Sequence, residues 1–326
     1  MGKNPKSIFV NIANNTSLSK KYVFANLFIV LIPCLILSAA YLYKFQNTVK
    51  DEITSSYEQV MEQYVSNVNY KLSLYHNIEK TFSVNSVVQD ILKEENVKSP
   101  MDIMRLSEKF YTETRSIFLG ENQGEVYNIT LYSYNKNLSF DGEFLKSVEY
   151  VLDEEWYKDI IETKNYYNCF YNTQSTDRKN LVMLIQPIVT TNLAEFEKPL
   201  GIIQISLLAE RVFKPDSDML WEKGMEVLIL DKKQNLVYGS KENAAFLKDM
   251  LVEDIRSGVM ESKKTHKIMV YKSLSPYQLD AIAFFPYHKV NAKISSLNNF
   301  NFLVIGVILF ISLILTMLFS KIFTKR

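Results

Sequence analysis

Two uncharged apolar tracts bracket a long polar middle in this chain. The first is Tyr22–Tyr43 and the second is Phe302–Phe319. About 20 helical residues, rising 1.5 Å each, cross a hydrocarbon layer of about 30 Å. The pattern therefore predicts two transmembrane helices, which we assign to residues 22–43 and 300–320.

Basic residues next to both tracts predict the orientation. Lys20 and Lys21 precede the first tract, and Lys321 and Lys325 follow the second. Short basic loops and tails stay on the cytoplasmic side. We therefore expect cytoplasmic tails at residues 1–21 and 321–326, with residues 44–298 outside the cell.

A cleaved signal peptide is the alternative interpretation of the first tract. Ser38, Ala39 and Ala40 supply the small residues of a cleavage site. A signal peptide has an apolar core of about 7–15 residues, and this tract is longer. The sequence favours an anchor that remains uncleaved.

A helical pattern follows the first tract directly. Glycine and proline are absent from residues 45–99, and apolar residues recur at spacings of three and four: Ile53, Tyr57, Val60, Tyr64, Val68, Leu72 and Tyr75. The pattern predicts a long helix over residues 44–92. Its apolar stripe must be covered by the domain itself or by a second copy of the chain, so we expect a homodimer.

The rest of the middle region changes to a period of two, which is typical of strands. Short helices are predicted at Asp153–Ile161, Ala209–Phe213 and Lys289–Phe300. Strands are predicted at Val126–Tyr134, Leu181–Val189, Leu200–Leu208, Met225–Leu230, Leu236–Tyr238, Lys267–Leu274 and Leu279–Phe285. The order predicts an α+β fold in which two antiparallel-sheet units follow the long helix.

Composition and motifs narrow the function classes. The net charge of +1 gives no general attraction to nucleic acid. Cys34 lies in an apolar tract and Cys169 lies far away in a polar segment, so the two cysteines do not indicate a disulfide framework. His76, His266 and His288 have no metal-site spacing, and no HExxH, CxxC or GxSxG motif occurs. We expect no catalytic residues, no metal and no cofactor, and therefore no enzyme.

Several segments together resemble one family. They are Leu31–Pro33, Glu155–Tyr157, Pro199–Ile205, Val227–Tyr238 and Ser275–Ala283. In this order, from Ser17 to Arg326, the chain resembles the sensor portion of two-component histidine kinases of the YesM type. The resemblance implies a double Cache domain with two PAS-like antiparallel sheets, a membrane-distal unit at residues 93–213 and a membrane-proximal unit at residues 214–298. The HAMP linker and kinase domains of that family are not expected in this chain.

The resemblance also informs the ligand. Amino-acid-binding members of the family carry an arginine two residues before the Trp-Tyr pair and an aspartate in a later strand. This chain has Glu154 and Ser206 at those positions. A free α-amino acid is therefore a poor candidate, while a sugar, a peptide or another extracellular small molecule remains open.

The candidate ligand-binding residues are aromatic and neutral polar side chains with one carboxylate. Trp156 and Tyr157 lie near the pocket wall in the family, and the remaining candidates are those that could face the same space: Tyr132, Tyr171, Asn172, Gln174 and Asp177. Aromatic rings with a few polar groups suit a sugar or a peptide. The alternative is that Trp156 and Tyr157 only pack in the core.

Two functional hypotheses follow. The first is an extracellular ligand-sensing module of a bacterial transmembrane receptor, which passes a binding-induced shift through the second transmembrane helix. The second is a membrane-anchored envelope scaffold or assembly protein that binds another protein. A pocket favours the first hypothesis, and an exposed apolar patch favours the second.

Overall fold

The computed structural model describes residues 18–94, 97–119, 124–135, 144–163, 170–172, 180–191, 198–215, 225–250, 258–262 and 267–324. These residues belong to two compact units. The helical unit contains the described residues up to Ser56 and from Tyr287 onward, and the sheet unit is Tyr57–Pro286.

Helices and strands alternate along the described residues. The α-helices are α1 (Leu18–Val84), α2 (Ser86–Lys93), α3 (Pro100–Leu119), α4 (Glu155–Thr163), α5 (Ala209–Val212), α6 (Lys241–Met250) and α7 (His288–Thr324). The strands are β1 (Val126–Ser133), β2 (Leu145–Ser147), β3 (Phe170–Asn172), β4 (Leu181–Val189), β5 (Pro199–Leu208), β6 (Glu226–Asp231), β7 (Leu236–Tyr238), β8 (Gly258–Ser262), β9 (Lys267–Leu274) and β10 (Leu279–Pro286).

The helical unit pairs the start of α1 with α7. Both helices contain a stretch that is long and apolar enough to cross a membrane, and almost none of either stretch is buried within the protein. Asn301 donates a hydrogen bond from Nδ2 to Ser38 Oγ over 2.6 Å. Gln46 Nε2 donates to Asn298 Oδ1 over 3.5 Å. Polar contacts of this kind join helices where lipid offers no alternative partner.

The long helix α1 ends eight residues before the predicted helical segment does. α1 ends at Val84, and α2 begins at Ser86. The Asn85 side chain accepts hydrogen bonds from the backbone N–H groups of Val87 and Val88, at 2.8 and 3.2 Å. An asparagine that caps a new helix in this way ends the preceding one. The segment predicted as helical to residue 92 is therefore two helices, with a break at Asn85.

The first sheet has the strand order β2-β1-β5-β4-β3. All its pairs are antiparallel except β1 with β2. One face of this sheet lies against α1. Two tyrosine hydroxyls of α1 donate hydrogen bonds to residues that flank strands of the sheet. Tyr64 donates to the carbonyl oxygen of Phe213 over 2.8 Å, and Tyr75 donates to Glu125 Oε2 over 2.8 Å.

The second sheet has the strand order β7-β6-β10-β9-β8, and all its pairs are antiparallel. α1 covers one face here too, because the ring of Tyr57 stacks on Phe285 with centroids 4.0 Å apart. α6 covers the other face, where Leu247 joins an apolar cluster with Leu228, Leu230, Met269, Ile282 and Phe284. The predicted α+β class, with a long helix and two sheets, is confirmed.

Candidate functional site

The face of the first sheet that points away from α1 carries neutral polar side chains. Directly opposed residues of neighbouring antiparallel strands lie on the same face. Thr130 of β1 pairs with Gln204 of β5, and Asn128 pairs with Ser206. Tyr132 lies on the same face, two residues beyond Thr130. We call these five residues the polar row.

Hydrogen bonds connect the members of the polar row. The Tyr132 hydroxyl donates to Gln204 Oε1 over 3.3 Å, and Gln204 Nε2 donates to Ser206 Oγ over 2.9 Å. On β1, Thr130 Oγ1 donates to Asn128 Oδ1 over 3.2 Å. Thr130, Tyr132, Gln204 and Ser206 are buried, so these bonds form away from bulk water. The row is therefore an amide and hydroxyl surface with two sets of internal hydrogen bonds, one along Tyr132, Gln204 and Ser206 and one between Thr130 and Asn128.

α4 brings aromatic rings to this face. Trp156 and Ile160 lie four residues apart and are both buried, which is the spacing of one helical face. The Trp156 ring lies 5.8 Å from the Tyr132 ring, with the planes at 48°. Both belong to a buried cluster with Met183, Ile185, Ile202, Val148 and Val151.

Tyr157 extends the aromatic surface to a second hydroxyl. Its hydroxyl lies 3.4 Å from that of Tyr134, and its ring lies 6.0 Å from the Trp156 ring. Burial, together with the hydrogen bond to Tyr157, raises the pKa of the Tyr134 hydroxyl. The Tyr134 hydroxyl therefore stays neutral and can donate or accept a hydrogen bond.

The structure brings three of the predicted site residues together: Tyr132, Trp156 and Tyr157. Tyr171 and Asn172 lie in β3, where they pair with Val182 and Leu181. Gln174 and Asp177 lie outside the described residues, and so does Cys169. That Gln174 and Asp177 face the same space as Trp156 and Tyr157 stays a prediction.

Sequence reasoning missed most of the polar row. Gln204 and Ser206 interrupt the buried run Leu200–Leu208 at alternate positions, which places both on one face of a strand. That alternation within an otherwise apolar strand was the available signal. The resemblance singles out Ser206 only as the residue at the position of the family's aspartate, and Glu154, at the position of its arginine, is exposed beside α4.

The outer side of α4 carries ion pairs to the second sheet. Lys232 Nζ lies 3.3 Å from Asp159 Oδ2, and Lys233 pairs with Glu155. A hydrogen bond to Glu155 raises the pKa of Lys233. Both lysines stand in the β6–β7 turn, which Asp231 fixes by accepting the Lys233 N–H over 2.8 Å. α4 therefore contacts the polar-row face with one side and the second sheet with the other.

A titratable pair lies on the opposite, α1-covered face of the first sheet. His76 Nδ1 and Glu79 Oε2 are 3.5 Å apart, and both side chains are buried. Burial, and secondarily Lys80, lowers the pKa of His76 to about 4. Burial raises the pKa of Glu79 well above its usual value. Within the described ranges, no three His, Cys, Asp or Glu side chains gather as metal ligands.

No protein-family model matches the sequence, and neither does any curated protein sequence. Solved structures do match. The extracellular domain of a proposed histidine kinase has a TM-score of 0.50 and 12% identity, over 76% of this chain and 98% of that one. The periplasmic sensory domain of the Campylobacter jejuni chemoreceptor Tlp1 has a TM-score of 0.50 and 12% identity, over 74% and 98%.

A third likeness is to an extracellular ligand binding receptor from Desulfohalobium retbaense, with a TM-score of 0.43, 12% identity and coverage of 69% of this chain and 39% of that chain. At such identities, likeness establishes the fold. The chain has the fold of the extracellular sensor domains of bacterial receptors, flanked by two helices able to cross a membrane.

Proposed function

We propose that this chain is the extracellular ligand-sensing module of a bacterial transmembrane receptor, of the YesM type. The observation that carries the proposal is the polar row under the aromatic rings of α4. A sheet face that only closes a core is apolar, because burying polar groups costs free energy unless they are hydrogen-bonded. The shared fold with receptor sensor domains supports the same function.

The proposal includes the membrane topology, with residues 44–298 outside and both tails in the cytoplasm. We expect alkaline phosphatase inserted after Lys198 to be active in a bacterial host, and green fluorescent protein fused after Arg326 to fluoresce. The physical reason is the placement of the lysines beside both apolar tracts. Reversed activities would contradict the topology. Loss of the first tract from the mature protein, measured by mass spectrometry, would contradict the anchor.

The route of the signal follows the ion pairs of α4. A ligand that contacts Trp156 and Tyr157 displaces α4, and α4 is tied to the β6–β7 turn by Glu155 and Asp159. β6 pairs with β10 along its length. The chain then runs from β10, which ends at Pro286, into α7. Binding at the first sheet therefore reaches the second membrane helix through the second sheet.

This route predicts a separation of binding from output. In a chimera with the HAMP and kinase modules of a reporter histidine kinase joined after Arg326, reversing the charges of Lys232 and Lys233 to glutamate should reduce the ligand response roughly tenfold. The variant places like charges opposite Glu155 and Asp159, which replaces attraction with repulsion. The ligand-induced melting shift should stay unchanged.

The compensating exchange supplies the control for that experiment. Adding Glu155→Lys and Asp159→Lys restores opposite charges and should restore the response. Lys241→Glu, at the exposed start of α6, is a matched single charge change away from α4 and should leave the response intact. A charge-reversed variant with full output would contradict the route. A wild-type chimera that responds to no compound in a broad panel would contradict sensing itself.

One observation favours the scaffold alternative. Met101, Met104 and Tyr111 are exposed on α3 at helical spacings of three and seven. An exposed apolar stripe is typical of a protein-binding surface. Crosslinking that recovers a fixed protein partner on α3, combined with a chimera that responds to no small molecule, would favour this function instead.

A further inference from the structure

The fold itself does not require the polar row, as the second sheet shows. Both sheets have the same order of strands, and β10 stands in the second sheet where β5 stands in the first. On the face away from α1, β10 presents Ile282 and Phe284, which pack in the apolar cluster under α6. β5 presents Gln204 and Ser206 on the corresponding face. The same framework is closed with apolar side chains in one sheet and lined with polar ones in the other.

Gln204 has hydrogen-bonding capacity beyond the bonds within the row. A glutamine side chain can donate two hydrogen bonds and accept two. Gln204 accepts one from Tyr132 and donates one to Ser206. One amide N–H and one acceptor position remain for a further group. Ser206 Oγ accepts from Gln204, so its own hydroxyl hydrogen is available as a donor.

Among the described residues, the row and the cluster under α4 contain no charged side chain, and Lys146 of β2 pairs with Tyr132 at one end of the row. The cluster under α4 consists of aromatic and aliphatic side chains, and the row adds only amides and hydroxyls. Glu155 and Asp159 lie on the other side of α4, where they pair with Lys233 and Lys232. An ionised ligand placed against Gln204 and Ser206 would lose its hydration without a counter-charge beside it, which is strongly unfavourable.

The geometry suits a ligand with both polar and apolar surfaces. Gln204 Nε2 and Ser206 Oγ lie 2.9 Å apart. One ligand can therefore contact both groups through polar atoms that are close neighbours, such as adjacent hydroxyl groups. Trp156 and Tyr132 present rings to the same space, and ring faces pack well against the C–H surface of a sugar.

From these observations, we propose that the site binds an uncharged polyhydroxy compound, with Gln204 as the residue that determines specificity. This inference rests on the proposed ligand-sensing function and defines its chemical class. Gln204 selects neutral hydroxyl groups because its amide can donate to one hydroxyl and accept from another. A site built to hydrogen-bond a substrate rejects analogues that lack those groups.

The test uses the full chain in lipid nanodiscs and its melting temperature. The probes are D-glucose, D-galactose, D-ribose and myo-inositol, compared with glycine, L-glutamate, L-lysine and succinate at equal concentration. A neutral polyhydroxy probe at about 100 times its dissociation constant should raise the melting temperature by about 5 °C or more. The charged and zwitterionic probes should leave it unchanged.

Matched variants locate the binding. Gln204→Leu should abolish the shift, and Ser206→Ala should weaken the affinity roughly tenfold through loss of one hydrogen bond. Gln186→Leu is the control. Gln186 pairs with Ile203 and lies on the α1-facing side of the same sheet, so this substitution should leave the shift intact. In a Trp221→Phe background, which leaves Trp156 as the one tryptophan, the change in fluorescence on binding to Ser206→Ala gives a second readout if Gln204→Leu unfolds.

The outcomes distinguish the two proposals. A shift caused only by a charged or zwitterionic probe, and lost in Gln204→Leu, overturns the ligand class while the sensing function stands. A neutral-probe shift that survives both Gln204→Leu and Ser206→Ala overturns the role of the polar row. If no polyhydroxy probe binds while the reporter chimera still responds to another compound, the class is overturned and sensing is retained.

Discussion

Replacing Gly201 with alanine is expected to destabilise the sheet unit by about 3 kcal/mol and lower its melting temperature by about 10 °C. A Cβ atom at this position would lie 2.2 Å from the carbonyl oxygen of Tyr132 and 3.0 Å from Leu92 Cδ2. The backbone oxygen cannot swing away, because Gly201 pairs with Ser133 in the β1–β5 ladder. The two central strands must therefore separate locally.

Gly306→Ala is the matched control for this substitution. The corresponding Cβ in α7 would meet nothing within 4 Å. It should leave the melting of the sheet unit unchanged, measured by circular dichroism or calorimetry in nanodiscs. Equal melting temperatures for Gly201→Ala and the wild type would contradict the close approach of β5 to β1. Because that approach also brings Tyr132 to Gln204, the destabilised variant should lose the ligand-induced shift as well.

The second prediction concerns the loss of folding stability at low pH. We expect Glu79→Gln to lose about 3 kcal/mol of folding free energy between pH 6.5 and pH 4 through His76. The pKa of folded His76 is depressed to about 4, whereas the unfolded value is 6.5. The stability it contributes is therefore present above pH 6.5 and is lost as the pH falls through about 4. Burial of the charged imidazolium is the cause.

Glu79 acts in the opposite direction in the wild type. Its folded pKa is raised by burial, so its contribution is complete below the unfolded value of 4.5 and is lost as the pH rises. Between pH 4.5 and 6.5 the two residues oppose each other. Urea unfolding at several pH values should show a flatter profile for the wild type than for Glu79→Gln. His76→Gln should show only the decline with rising pH. Parallel profiles for all three proteins would contradict the buried pair.

The elements that the sequence predicts well are those with a strong local pattern. The β4 strand at Leu181–Val189 is recovered at both ends, because a continuous apolar run bounded by polar residues has few alternatives. The two membrane-type helices are recovered for the same reason. β10, α4 and the helical start of α7 at His288 agree with prediction to within two residues.

The elements that were missed have weaker or different signals. Ser99 directly precedes α3 and its hydroxyl donates to Asp102 Oδ2, while Pro100 occupies the first helical position. This capping pattern was available in the sequence. β2 and β3 are only three residues long and depend on their neighbours for pairing. Such edge strands are set by tertiary context, which a local pattern does not contain.

The residues of the candidate site also differ in how well the sequence predicts them. Trp156 and Tyr157 could be predicted because a resemblance pointed to them. Gln204 is indicated in the sequence only as a polar interruption of a buried strand, and its partners Thr130 and Tyr132 lie on another strand, which a local pattern does not contain. The pairs between α4 and the β6–β7 turn join residues more than 70 positions apart. No sequence spacing indicates such a contact.

The way α1 serves both sheets has a consequence for how this protein can be divided. Tyr57 packs on the second sheet, and Tyr64 and Tyr75 hold the borders of the first. Excising one sheet would strip part of that helix of its cover and leave aromatic side chains in water. Neither sheet is therefore expected to fold alone. Gene fusions or domain exchanges should cut outside Tyr57–Pro286, so that both sheets stay in the same protein.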